Sequence, residues 1–180
     1  MVKPRQGRNG TPVHVAFLRA VNVGGTGKLP MVELKAMCHD LGFSDVQTYI
    51  ASGNLLFRSS LGAGKARAAL EQRLQAYAGK PVGVVMRTVA ELADVLRSNP
   101  FPHAVPSRTV AIFLDDIPPP DTIRRISGRN REELVLGKRE IYVHYGDGMA
   151  NSKLKIPAAA TGTARNMNTI AKLVELARTT

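Results

Sequence analysis

The sequence predicts an α+β fold of two ferredoxin-like halves, with antiparallel or mixed sheets and helices packed on one face. Three observations predict it. Strand-length apolar runs and helix-period segments alternate as βαββαβ over residues 13–98, the order of a split βαβ pair. A proline-rich stretch, "SNPFPHAVPS", then interrupts the chain. The remainder runs strand, short helix, strand, strand, loop, helix, a partial echo of the first half. The expected division is a disordered basic tail over 1–12, a first half over 13–98, a linker over 99–107 and a second half over 108–180.

Each element has a local reason. Met1 to Pro12 is polar and basic, which predicts a mobile tail. Val13 to Val21 is apolar and β-prone, with Arg19 near its end. Pro30 suits the first turn of a helix, where its missing N–H costs nothing. Leu34, Met37, Cys38 and Leu41 follow at helical spacing, and Gly42 closes that helix. Val46–Ile50 and Leu55–Phe57 read as short strands around the turn "ASGN". A second helix is expected over Ala63–Ala78, and a strand over Val82–Met86. Thr88 and Glu91 have capping-box spacing and open a helix to Arg97. In the second half, Thr109–Leu114 is a strand and "DDIPPPD" turns the chain. A short helix is expected around Thr122–Ser127, then strands over Leu134–Leu136 and Ile141–Tyr145. "GDGMANSKLKIPAAATGT" reads as a long, glycine- and alanine-rich loop or weak helix. The last helix starts at Asn166 or Met167 and buries Met167, Ile170, Leu173 and Val174.

A chain of 180 residues that is 44% hydrophobic buries roughly 70% of its unfolded surface, so it requires neither disulfide nor metal. Its one cysteine, Cys38, cannot form an internal disulfide, which points to a reducing compartment. No apolar leader and no apolar run of about 20 residues is present, so a cytoplasmic protein without a membrane partner is expected. The net charge is +11. It is basic enough for an anionic partner, either a small ligand or nucleic acid, and equally consistent with a solvated basic surface.

Three polar segments interrupt the apolar pattern. The first is "NVGGTGK", with Asn22, Gly24, Gly25 and Lys28 between a strand and a helix. A Walker loop needs glycine at Asn22 and Ser or Thr at Leu29, and a dinucleotide fingerprint needs glycine at Pro30, so both fail. What remains is either an anion cradle of backbone N–H groups beside Arg19 and Lys28, or a tight reversal. The second is Ser52, Gly53 and Asn54, sufficient for a hairpin turn. The third is "TARNMNT", where Thr163, Asn166 and Asn168 suit an N-cap and Arg165 adds a charge to a helix start.

Catalytic sets are thin. His14, His39, His103 and His144 lack metal-ligand spacing, and each reads as a surface or satisfied core histidine. Cys38 reads as a buried structural thiol and Asp115–Asp116 as turn chemistry. No cofactor or metal is expected. The few aromatics fit poorly with RNA-recognition modules.

"FLRAVNVGG", "YIASGN", "SKL" and "TARNMNT", in this order and spacing, resemble the signatures of a bacterial family known as domain of unknown function 1697. Met167 departs from that pattern, which has Trp there. The resemblance implies ferredoxin-like halves and no assigned activity. It also marks Arg19, Asn22, Gly24 and Gly25; Ser52, Gly53 and Asn54; and Ser152, Lys153, Arg165, Asn166 and Thr169. The expectation is that these meet, with Lys28, in one cleft between the halves and hold a small phosphate-bearing anion. Backbone-reading nucleic-acid binding is the alternative, and an enzyme on a phosphorylated or nucleotide substrate the second.

Overall fold

Residues 10–19 and 28–180 are described by the computed structural model; most of the predicted tail lies outside them. The run "VAFL" is apolar without alternation because the strand it forms is buried on both faces. That strand is β1 (Val13–Leu18), followed by α1 (Met31–Asp40), β2 (Ser44–Tyr49), β3 (Asn54–Arg58), α2 (Ala63–Ala78), β4 (Val84–Thr88) and α3 (Val89–Arg97). The first sheet has the order β2-β3-β1-β4, with each neighbouring pair antiparallel. This is the ferredoxin-like arrangement. The second half supplies β5 (Thr109–Phe113), β6 (Glu132–Leu136), β7 (Glu140–Tyr145), β8 (Thr163–Asn166) and α4 (Met167–Ala177). Its order, β6-β7-β5-β8, is the same order, also antiparallel. Where the first half has α1 and α2, the second has 3-10 turns at Thr122–Arg125 and Pro157–Ala159.

Period-2 alternation distributes the apolar residues over three cores. Ala16, Leu18, Leu55 and Phe57 face outward onto Leu34, Met37, Cys38 and Leu70 of α1 and α2. Val110, Ile112, Ile141 and Val143 face out beneath Leu154, Ile156 and Ala158. The inner faces meet in the central core. Val15, Phe17, Leu56 and Val85 pack there with Ala111, Phe113 and Tyr142, alongside Leu92 and Val95 of α3 and Ile170 and Leu173 of α4. Phe17 and Phe113 stack with centroids 4.6 Å apart. The proline-rich stretch does more than connect, since Phe101 packs on the central core.

Capping residues act as their chemistry predicts. Thr88 and Glu91 complete a reciprocal capping box, and the Asn166 side chain accepts the Thr169 N–H. One element differs. Thr163–Asn166 forms an edge strand, not only a helix cap. Thr, Ala, Arg and Asn carry little strand signal together; pairing with β5 makes them a strand.

Candidate functional site

The shared strand order places two arginines in matching positions. Arg87 pairs with Val15 and Arg165 with Ala111, so both point toward the central core. Each precedes the cap of the helix that follows, Thr88 and Asn166. Each also crosses to the other half. The Arg165 guanidinium lies over Phe17 at 5.1 Å, and that of Arg87 over Phe113 at 5.3 Å. A planar, weakly hydrated guanidinium tolerates such burial.

Their hydrogen bonding differs. Arg165 Nε donates to Asn54 Oδ1, Nη1 to Thr163 Oγ1 and the Ala164 carbonyl, and Nη2 to the carbonyls of Leu18 and Ser52. Its five N–H groups therefore have five acceptors. Arg87 donates through Nη1 to the Met86 carbonyl at 2.8 Å, and through Nη2 to the carbonyls of Leu114 at 2.6 Å and Arg139 at 2.8 Å. Its Nε–H and second Nη1–H have no acceptor among the described residues. Burial pushes both guanidinium pKa values down to about 10, and for Arg87 the nearby Arg139 charge adds to the effect. Both remain charged at neutral pH.

Arg87 borders a cleft of about 460 Å³ between the halves. His14, Ala63, Gly64 and Arg67 line it from the first half, Asp115, Asp116 and Arg139 from the second. Asp115 gathers two arginines, accepting from both terminal nitrogens of Arg67 at 2.8 and 3.1 Å and from Arg19 at 2.9 Å. Burial acts to raise the Asp115 pKa, but Arg67 and Arg19 outweigh it and hold the carboxyl below its ordinary value. Glu91 pairs with Arg139 and also accepts the Thr88 N–H at 2.7 Å. These two contacts likewise overcome burial and lower its pKa. The cleft is thus not uniformly basic: its carboxylates hold cations in place.

Two further features border the cleft. The cap residue of α2, Gly62, makes no side-chain cap, and the first turn has no acidic residue. The positive end of the helix dipole is therefore not neutralised by a carboxylate of its own first turn, although Asp115 and Asp116 line the same cleft. His14, 5% exposed, lines the same cleft, and its Nε2 has no hydrogen-bond partner. The expectation of a satisfied core histidine fails here, because His14 is enclosed by Phe57 and the sheet without an acceptor or donor for Nε2. Among the described residues, no group of three or more His, Cys, Asp or Glu is arranged to hold a metal.

The sequence-predicted residues separate into distinct places. Asn22, Gly24 and Gly25 lie outside the described residues, and Lys28 is exposed. Arg19 reaches the second half through Asp115. Ser52, Gly53, Asn54 and Arg165 do meet: Asn54 is fully buried and donates to Ser52 Oγ and the Tyr49 carbonyl while accepting from Arg165. Gly53, at φ +79°, brings its carbonyl to the Leu18 N–H. Asn166 and Thr169 serve the α4 cap.

Ser152 and Lys153 do not join that group, which corrects the single-cleft expectation. Ser152 donates to Glu132 at the start of β6 and lies, with Lys153, in a separate cavity of about 440 Å³. β6 and β8 are opposite edges of the second sheet, about 14 Å apart at ordinary strand spacing. The Lys153 carbonyl is tucked against Gly128, where a Cβ would stand 2.0 Å away. Asp115, read as turn chemistry, is the hub of the inter-half ion pairs. Sequence reasoning missed Arg67, Arg87 and Arg139. A signal existed for one: Arg87-Thr88 and Arg165-Asn166 both place Arg before a helix cap.

Paired ferredoxin-like halves enclosing a polar cleft define the structural class. Residues 12–142 match the family model described as "Protein of unknown function (DUF1697)", and the chain belongs to that family. The match takes in Arg19, Ser52–Asn54, Arg67, Arg87 and Arg139, and ends before Ser152–Thr169. The fold resembles that of the conserved bacterial protein SP0830 from Streptococcus pneumoniae, with a TM-score of 0.76 and 23% identity, covering 92% of this chain and 98% of that one. No curated protein matches the sequence.

Proposed function

We propose that the chain binds a small phosphate-bearing anion in the cleft between its halves. The observation that carries this reading is Arg87, a buried cation with two N–H groups that have no acceptor among the described residues, beside Arg67 and Arg139 on the same cleft. Arg87 hydrogen-bonds only to carbonyls, with the carboxylates of Glu91, Glu140 and Asp115 nearby but not bonded to it, so a direct counter-ion would add to its stabilisation. The uncapped start of α2 and the unpartnered His14 Nε2 support the same occupant. Arg165, in contrast, belongs to the structural contact between the halves.

Calorimetric titration with inorganic phosphate at low ionic strength tests the reading. Binding is expected for the native chain, and a loss of at least about ten-fold, or about 1.4 kcal/mol, in Arg67→Ala. Phosphate binding that Arg67→Ala leaves intact would overturn the reading. Backbone-directed nucleic-acid binding, the other partner class consistent with the +11 charge, would instead show a steep salt slope with duplexes of any sequence. A cytoplasmic setting accompanies this reading, supported by the lone, buried, unpaired Cys38. No helix among the described residues is long and apolar enough to cross a membrane.

A further inference from the structure

Arg87 faces more than one cavity. A second cavity of about 420 Å³ lies between α3 and the β6–β7 turn. It shares Arg87, Glu91 and Arg139 with the first, so the Arg139–Glu91 pair stands where the two meet. The chemistry changes across that partition. On the far side the walls include Val95, Val135, Leu136 and the ring of Tyr142. The Tyr142 hydroxyl is occupied, donating to the Val95 carbonyl at 3.0 Å. Its ring is buried in the central core and only borders this cavity, so the accessible apolar wall is Val135 with Leu136. Val135 remains 41% exposed, an apolar side chain at the mouth of this cavity. Asp94, Ser98 and Lys138 supply polar groups around it.

Given the phosphate-binding reading, on which this inference rests, we propose that the ligand is a phosphate monoester carrying a flat aromatic group. Its phosphate meets Arg87 and Arg67 in the inter-half cleft, and its ring enters the cavity between α3 and the β6–β7 turn. A nucleoside monophosphate has this chemistry. Inorganic phosphate fills only one of the two neighbouring cavities, and the apolar wall of the other gains from covering a ring that would otherwise face water.

Calorimetric titrations of the full chain with inorganic phosphate, phenyl phosphate and adenosine monophosphate test this. Both esters are expected to bind at least about ten-fold tighter than phosphate. Val135→Gln makes the mouth polar, and Ser98→Trp fills the cavity from an exposed position. Each is expected to bring the esters down to the affinity of phosphate while phosphate itself binds as before; circular dichroism checks that both variants are folded. The proposal is overturned if phosphate binds and the esters bind no tighter, or if their advantage survives both substitutions. Should none of the three probes bind, the phosphate reading itself is lost and this one with it.

Discussion

Arg87 and Arg165 occupy the same place in two halves with the same strand order, yet they do different work. Arg165 is closed: its five N–H groups have protein acceptors, and those acceptors belong to both halves. Arg87 has three N–H groups engaged and lines two cavities. The residues at the equivalent of Asn54 explain the divergence. Asn54 pairs with Phe17 in the first sheet, and Glu140 pairs with Phe113 in the second. Asn54 turns its carbonyl oxygen to Arg165, whereas the Glu140 carboxylate accepts the backbone N–H groups of Lys138 and Arg139. A matching position thus makes one arginine a clasp and leaves the other with two N–H groups that have no acceptor among the described residues. What separates the two roles is the number of donors without an acceptor, not burial or charge.

The largest expected effect follows from breaking the closed side. Arg165→Met removes the donors that satisfy Asn54 Oδ1 and four further oxygens in a buried contact between the halves. A loss of about 3 kcal/mol or more is expected in urea unfolding. Arg165→Lys does not restore it, because a compact ammonium has three donors and no planar fork. Arg87→Met loses three carbonyl bonds and is expected to cost less stability, about 1–2 kcal/mol, while abolishing phosphate binding. Equal stability losses with phosphate binding intact would erase the distinction between the two arginines.

Next comes the turn that presents acceptors to Arg165. At Gly53 the backbone has φ +79°, and an added Cβ would lie 2.8 Å from Leu18 Cβ. Gly53→Ala is expected to destabilise by about 2–3 kcal/mol, combining backbone strain with displacement of β1. Gly148 is the control: it has φ +89° but open space around its Cβ position. Gly148→Ala should cost only the conformational part, about 1 kcal/mol. Matching losses in denaturant midpoints would show that the contact with Leu18 contributes nothing.

These two regions were unequally legible in the sequence. Val89–Arg97, with its capping box, and Ala63–Ala78, closed by Gly79, lie where the pattern places them. The short strand Thr163–Asn166 was hidden because its residues are better known for capping. The Ser52–Asn54 segment was visible as a turn, but its partnership with Arg165 spans more than a hundred residues and no local spacing encodes it. The open cleft was least legible. Arg67 lies on a helix whose period shows only that it is polar, and Arg139 lies in a hairpin turn. Asp115 joins them because two strand orders coincide in space.

The third effect acts on the open side alone. Asp115 is bound to Arg19 and Arg67, and under the proposed phosphate binding its carboxylate would compete with the incoming anion for both. Asp115→Asn removes that charge while keeping the shape. Phosphate affinity is expected to rise several-fold, measured by calorimetry. Stability should change by no more than about 1 kcal/mol, since the group is partly solvated and its ion pairs are screened. Weaker phosphate binding in this variant would mean that Asp115 orders Arg67 for the ligand and does not compete with it.

Acid separates the two sides by the smallest margin. The native pKa values of Asp115 and Glu91 are held below their ordinary values, so folding favours their ionised forms. Each adds stability that is present above the unfolded carboxylate range, near pH 4, and is lost as pH falls through the lowered native values. Both carboxylates lie on the cleft, with Arg67 and Arg139. The Arg165 clasp rests on carbonyls, Asn54 and Thr163, none of which titrates in that window. Acidification from pH 6 to pH 3 is therefore expected to loosen the cleft before the clasp. Hydrogen exchange should show the Thr88 amide, held by Glu91, losing protection while the Leu18 amide, held by the Gly53 carbonyl, keeps it. In Glu91→Gln with Asp115→Asn, the acid-dependent part of this contrast, worth about 1 kcal/mol or less for such part-exposed pairs, should vanish. A contrast that persists in the double variant would place the acid sensitivity elsewhere in the fold.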